Sequence, residues 1–393
     1  MITYTDQYKQ MLKELKKLTP DFQRREPQLD ELGSFPFKNV KELKEIGYTT
    51  FTLPKEYGGG GAGLSEFLRC QEQIAKGCGS TALSIGWHMG TVLEFGEHRQ
   101  WTEEMADFLA EEIRHGALIN TAASERNAGS PLRGAKPTTT AVLSSDGNSY
   151  VLTGEKTFTS TSPVLDYFFV TAAIEGEGSI GVFLVPRRSK GVSIRETWDS
   201  VALRGTASHD LVLESVEVPV NHLVEYSTSE KMNRRKGWLL HIPACYLGIA
   251  GAARDYAVKF AAEYVPTSLG KPIGPLPSMQ RQIGEMEVML LSAREFLYSI
   301  AAQYEQNPQG DYQSDIAAVK TFVTNHAISI VDLAMRIVGA RSLSEKNPLH
   351  RYYQHVRAGL HNPPMDDISF KMLAEKALRE MGRNNIDQFA KCK

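Results

Sequence analysis

Thr139-Thr140-Ala141-Val142-Leu143, then Ser144-Ser145-Asp146-Gly147-Asn148, then Ser149-Tyr150-Val151-Leu152-Thr153: two apolar runs flank a cluster of turn formers. Ser145 to Asn148 favours a reversal, so the stretch predicts a β-hairpin. Similar short runs lie outward from it at 117–122, 166–173, 179–186 and 211–218. Strands at this spacing predict a β-sandwich or barrel from about 116 to 228. On either side the period lengthens. Met11, Leu12, Leu15 and Leu18 recur at helical spacing, and segments 65–77, 81–95 and 102–114 read as helices, the last started by Thr102-Glu103-Glu104. After the β block, helical patterns run through 240–265, 278–305, 311–338 and 366–382. Pro266 to Pro277 carries four prolines and two glycines and separates the first two of these. The expected class is α+β multi-domain: an N-terminal helical domain (1–115), a middle β-sandwich or barrel (116–228) and a C-terminal four-helix bundle (229–393). A sheet between helical blocks, without βαβ alternation, argues against a Rossmann fold.

Composition narrows the function classes. Apolar residues make up 42% and charged residues 23% of 393 residues, the balance of a globular protein rather than a disordered one. The net charge of −2 gives no general attraction to nucleic acid or to an anionic membrane. Cys70, Cys78, Cys245 and Cys392 form no C-x-x-C pair and fit reduced thiols. The first residues lack an apolar signal core, and Leu239 to Ala253 is too short to span a bilayer. The expectation is a cytoplasmic enzyme without membrane insertion.

Several familiar motifs fail on context. Gly58, Gly60 and Gly63 spell G-x-G-x-x-G, but helices follow where a dinucleotide site needs a βαβ unit, so a turn is the better reading. The ten histidines show no metal-ligand spacing, and no metal is expected. No G-x-S-x-G elbow and no Walker motif occurs. His350, His355 and His361, with Arg351 and Arg357, read as a solvated helix face. Thr121 to Ser130 (T-A-A-S-E-R-N-A-G-S) is more informative. It follows an apolar run, and its small residues and hydroxyls suit close approach to a flat ligand.

The order of motifs resembles the acyl-CoA dehydrogenase superfamily of flavoproteins, including its two-component flavin monooxygenase branch. Leu53-Pro54-Lys55-Glu56-Tyr57-Gly58-Gly59 is similar to that family's P-E-x-Y-G-G turn. Ser124 to Ser130 resembles T-E-P-x-A-G-S-D. Gly154-Glu155-Lys156-Thr157-Phe158-Thr159-Ser160 resembles G-x-K-x-[WF]-I-[TS]. Leu203 to Ser208 with Val216-Glu217-Val218-Pro219 resembles G-x-R-x-S-x-T … V-x-V-P. The resemblance implies FAD, or FMN, held beside the β domain. Ala123 and Gly129 would approach it by backbone, Ser124 would bond the ring, Phe158 would pack beside it, and Thr159 and Ser160 would bond ring or phosphate. Ser130 and Arg357 would face the substrate, expected to be an acyl-CoA.

Departures from the pattern concern the reaction. The family's catalytic Glu near the chain end falls on Pro363, and its alternative position falls near Trp238-Leu239. The G-G-x-G loop reads Val338-Gly339-Ala340-Arg341-Ser342, and Tyr264-Val265-Pro266 stands where an Arg usually grips the second subunit's cofactor. Asp366 or Asp367, about one helical turn past Pro363, would replace the base. The resemblance therefore implies α,β-desaturation of an acyl thioester, with an electron-transfer flavoprotein as acceptor. Arg357 to Pro363 (R-A-G-L-H-N-P) instead resembles the monooxygenase branch, which takes reduced flavin from a separate reductase and uses oxygen. There His361 would serve the flavin by hydrogen bonding beside the reacting oxygen. A non-catalytic binding protein on the same fold is the third reading. A homotetramer or homodimer is expected.

Overall fold

The computed structural model describes residues 4–97, 101–126, 136–227 and 236–391. The chain gathers into two compact units, Met1–His241 and Ile242–Lys393.

The first unit begins with five helices: α1 (Asp6–Leu32), α2 (Phe37–Glu45), α3 (Leu64–Gly77), α4 (Gly79–Glu97) and α5 (Glu103–Arg114). Thr5 caps α1 and Thr102 caps α5, each accepting the N–H three residues on. The glycine run before α3 is a turn: Gly59 N–H donates to Pro54 O (3.1 Å) and Gly61 N–H to Leu53 O (2.8 Å).

Eight strands follow: β1 (Ile119–Ala122), β2 (Thr140–Leu143), β3 (Ser149–Thr159), β4 (Tyr167–Ile174), β5 (Ile180–Pro186), β6 (Val192–Arg195), β7 (His209–Pro219) and β8 (Leu223–Ser227). They form one sheet ordered β6-β7-β3-β2-β4-β5-β8, with β1 paired to β4. β4 is parallel to β1 through Tyr167–Val170 and to β2 through Ala173–Ile174; the other pairs are antiparallel. The expected hairpin is β2–β3. Asp146 Oδ1 accepts from Ser144 Oγ (2.6 Å) and Asn148 N–H (3.1 Å), and Gly147 takes the left-handed conformation at φ 73°.

The helices hold the sheet through an apolar cluster. Val92, Leu109 and Ile113 pack with Ile119, Phe169 and Leu184. Each such side chain contributes roughly 1.5–3 kcal/mol on burial. His88 adds direction: its Nδ1 accepts Ile119 N–H (3.1 Å), and its Nε2 bonds Thr49 O (2.9 Å). This ties α4 to the start of β1.

The second unit has four long helices, α6 (His241–Glu263), α7 (Pro277–Gln306), α8 (Gln313–Val338) and α10 (Asp366–Lys391), with a short α9 (Pro348–Arg357). Asn347 caps α9, and Pro348 opens it. α8 is apolar enough to cross a membrane by length and composition, yet Ile316, Val319, Val323 and Ile330 are buried within the protein.

Candidate functional site

In the first unit the sequence-predicted residues converge where β1 ends and β3 turns. Ala123 and Ser124 leave β1 half-buried. Thr157 N–H donates to Ser124 O at 2.8 Å, which fixes this segment beside β3. The next residue, Phe158, has φ 55° and lies where the β3–β7 register shifts between Lys156 and Thr159. Such a bulge re-aims a side chain. The Phe158 ring is 63% exposed and meets Trp198 edge-on at 6.1 Å. The bulge thus leaves one face of an aromatic ring open to solvent.

Hydroxyls surround that surface. Thr159 is fully buried, and its Oγ1 has no partner. Ser160 Oγ lies 2.8 Å from Ser208 Oγ, which lies 3.0 Å from Thr206 Oγ1. Asn120 Nδ2 donates to Ser160 O (3.1 Å), and Thr161 Oγ1 donates to Ser84 O (2.9 Å), so strand ends and α4 share one network. A buried hydroxyl without a partner, beside an exposed ring, fits a heteroaromatic ligand with acceptor atoms. Gly129 and Ser130 lie outside the described residues.

Behind Ser124 sits a charged pair that the motifs contain without revealing its contact. Glu125 and Lys156 have side chains 3% and 0% exposed and meet at 2.6 Å. Glu125 also accepts from Thr138 N–H (2.6 Å), Thr138 Oγ1 (2.5 Å), Thr139 N–H (3.1 Å) and Thr139 Oγ1 (2.7 Å). Burial alone would raise the carboxyl's pKa; the Lys156 and threonine bonds outweigh it and lower the pKa to about 2.

The alternative position for a Glu, Trp238-Leu239, is packed with rings. Trp238 stacks on His241 (5.8 Å, 21°), and His241 meets Trp87 edge-on at 4.9 Å. Gly86 and Gly90 make room: a Cβ there would lie 2.4 Å from His241 Nδ1 and 2.3 Å from Trp238 Cε3.

Family models match in chain order: acyl-CoA dehydrogenase N-terminal domain (5–106), middle domain (120–216) and C-terminal domain (240–360). YdbM of Bacillus subtilis (strain 168), itself a candidate acyl-CoA dehydrogenase, is 49% identical over 373 residues, covering 95% of this chain and 97% of its own. The chain belongs to the acyl-CoA dehydrogenase family. A more distant relative in the family, acryloyl-CoA reductase (NADH) of Anaerotignum propionicum, is 29% identical over 355 residues, covering 87% of this chain and 88% of its own. Among solved structures, butyryl-CoA dehydrogenase from Megasphaera elsdenii superposes with TM-score 0.86 at 22% identity, over 96% of this chain and 100% of its own. FMN-bound TdsC from Paenibacillus sp. A11-2 gives 0.85 at 22%, over 94% and 98%. At these identities the likeness is one of fold.

The second unit carries the segment where this member departs from the family motif. His361 is exposed after α9, and Tyr246 OH donates to Asn362 Oδ1 beside it. Asp366 opens α10, where Asn325 Nδ2 donates to its Oδ2 (2.8 Å) and Lys320 Nζ lies 3.6 Å from its Oδ1. Lys320 is buried, so the expected substitute base is already engaged by a cation. Asp367 is exposed in the same turn.

Arg357 lies over the Tyr353 ring at 4.7 Å and lines a cleft of about 670 Å³ with Arg281 and Arg336. The expected solvated face is corrected: His355 and Arg351 are buried, because α9 turns them inward with Leu349, Tyr352 and Val356. Burial, with the Arg351 and His350 charges, lowers the His355 pKa to about 3.

Proposed function

We propose that the protein is a flavin-dependent oxidoreductase of the acyl-CoA dehydrogenase type that desaturates an acyl thioester between its α and β carbons. The observation that carries this reading is the platform at the ends of β1 and β3. Phe158 is turned outward by a bulge, Ser124 is pinned by Thr157, and the Thr159 hydroxyl has no protein partner. These groups would suit an isoalloxazine, offering a ring to stack on, small-residue backbone beside it and hydroxyl donors for its heteroatoms. When bound, the flavin, FAD in this reading or FMN, supplies the acceptor for the β-hydride.

The chain's own residues do the rest. Ala123, Ser124, Gly129, Thr159 and Ser160 hold and orient the cofactor. Ser130 and Arg357 bind substrate, with the Arg357 guanidinium suited to an anionic part of the carrier. An α proton must pass to a carboxylate within hydrogen-bond reach or through one water. We assign that base to the Asp366–Asp367 turn. Asp366→Asn and Asp367→Asn each report on one carboxylate, and the base variant loses flavin reduction while retaining substrate binding. Electrons leave to an electron-transfer flavoprotein, and the assembly is a homotetramer or homodimer.

One observation favours a second reading. No Asp or Glu occurs between Glu345 and Asp366, and His361 stands in that interval. In a two-component monooxygenase supplied by a flavin reductase, His361 would hold or deliver the proton beside the reacting oxygen. The two readings separate in an anaerobic titration of FAD-loaded protein with short- to long-chain acyl-CoA thioesters. Bleaching of the oxidised flavin band supports desaturation. Retained colour across the panel overturns it. Reduced FMN with oxygen then tests the second reading, in which His361→Ala diverts oxygen to peroxide.

A further inference from the structure

His209 opens β7 directly opposite Thr159 of β3. Its Nδ1 accepts two backbone donors, Thr197 N–H and Trp198 N–H, each at 3.1 Å. Two N–H groups on one ring nitrogen require its lone pair, so the proton of the neutral imidazole sits on Nε2. The turn held in this way carries Trp198, whose ring backs Phe158 at 6.1 Å. The Trp198 Nε1 is buried without a partner, so the indole is placed by its backbone and its packing, with no side-chain hydrogen bond to fix it. A line of contacts therefore runs from the imidazole to the 197–198 turn, to Trp198 and to the exposed ring of Phe158.

We propose that His209 is a positioning residue: its unprotonated Nδ1 holds the Thr197–Trp198 turn and, through Trp198, the orientation of the Phe158 face, and acid releases both. The consequence for cofactor affinity rests on the flavin reading above. The consequence for Trp198 does not. Protonation places an N–H where two N–H groups already point, which removes the acceptor the two amides share and turns attraction into repulsion.

The charges around the imidazole act in both directions. Burial disfavours the cation and dominates, while Glu196 and Asp210 favour it, so the His209 pKa lies below its ordinary value. Asp210 is itself engaged by Arg126 (2.8 Å), and Arg195 and Glu155 pair on the flanking strands β6 and β3 (2.8 Å). The release thus belongs to mildly acid conditions, below the ordinary histidine pKa of about 6.5.

The test follows Trp198 by near-ultraviolet circular dichroism from pH 8 to 5, in the full chain. Wild type, Trp198→Phe, His209→Asn and His209→Leu are compared. The Asn carbonyl offers an acceptor that does not titrate. Expected is a one-proton loss of signal in wild type, absent from Trp198→Phe. His209→Asn keeps the neutral-pH signal throughout, and His209→Leu shows the acid signal at every pH. FAD dissociation constants should rise on the order of fivefold through the same step, and should stay flat in His209→Asn. A Trp198 step that survives in His209→Asn, or a wild-type signal in His209→Leu at pH 8, overturns the assignment. Should His209→Leu not fold, the wild-type and His209→Asn titrations decide alone. Failure of wild type to bind FAD at any pH counts against the flavin reading, while the dichroism step still decides the role of His209.

Discussion

Glu125 and Asp366 mark two regions of the chain that hold a carboxylate in different ways. Glu125 sits behind the β1–β3 strand ends, buried, and accepts five hydrogen bonds, from Thr138 N–H and Oγ1, Thr139 N–H and Oγ1, and Lys156. Asp366 opens α10 with one hydrogen bond from Asn325 and a 3.6 Å ion pair to Lys320, and exposed His361 and Asp367 lie nearby. The second region has no Asp or Glu between Glu345 and Asp366. A caged carboxylate tolerates little change, because any substitution strands buried charge. An exposed turn tolerates much. The two carboxylates therefore differ in how much change their surroundings would tolerate.

Breaking the cage should have the largest effect. Lys156→Met or Glu125→Gln leaves one buried partner without its counter-charge and should cost about 3–5 kcal/mol. Urea denaturation of each variant measures this. The double replacement Glu125→Leu/Lys156→Met should recover part of the loss, because no charge then stays buried. A double variant as unstable as the sum of the singles would show that the threonine bonds, rather than the pair, carry the stability.

Acid should act next, and on both units. Burial lowers the pKa of His88 to about 4 and of His241 and His355 to about 3, against 6.5 for the free side chain. The unfolded chain therefore binds protons first. Stability is flat above pH 6.5 and falls as the pH drops below it, by about 2 kcal/mol per histidine at pH 5. The depressed Glu125 adds its own loss only between its ordinary 4.5 and about 2. Thermal midpoints from pH 8 to 4 should therefore bend near 6.5, well above the carboxylate range. A bend appearing only below 4.5 would assign acid sensitivity to the cage instead.

The smallest effect sharpens the contrast from the other side. Asp366→Asn can still accept from Asn325 through its amide oxygen but removes the carboxylate 3.6 Å from buried Lys320; with Asp366 itself partly exposed, it should cost about 1–3 kcal/mol, less than breaking the cage. Denaturation beside Glu125→Gln compares the two carboxylates directly. Equal losses would mean that Asp366 is as much a structural residue as Glu125, which would count against a catalytic role.

Legibility followed periodicity and burial. The β2–β3 hairpin and the long helices were readable because their patterns match their geometry. β6 (V-S-I-R) and β8 (L-V-E-Y-S) escaped, being short strands with little continuous apolar sequence. β3 runs past Thr153 to Thr159 because Lys156, polar by type, is buried against Glu125. α9 was not among the predicted long helices, and its histidines and arginines suggested a solvated face where the helix turns His355 and Arg351 inward. At the candidate site, Ser124 and Phe158 to Ser160 were singled out through family motifs, and the structure brings them together at the strand ends. Trp198 and His209 were not, since only the register of β7 against β3 and the turn after β6 bring them to Phe158. No spacing in one sequence encodes that contact.

In the proposed reading the β1–β3 strand ends would hold a flavin, with Phe158 as the stacking face. The most direct test is an equilibrium titration of apo-protein with FAD, followed by flavin fluorescence, for wild type and Phe158→Gly. Glycine accepts the φ of 55° at this position, so the bulge survives while the ring is removed. The account predicts quenched, saturable binding in wild type and about tenfold weaker binding in the variant. Equal affinity in the two proteins, or no binding in wild type, would contradict it.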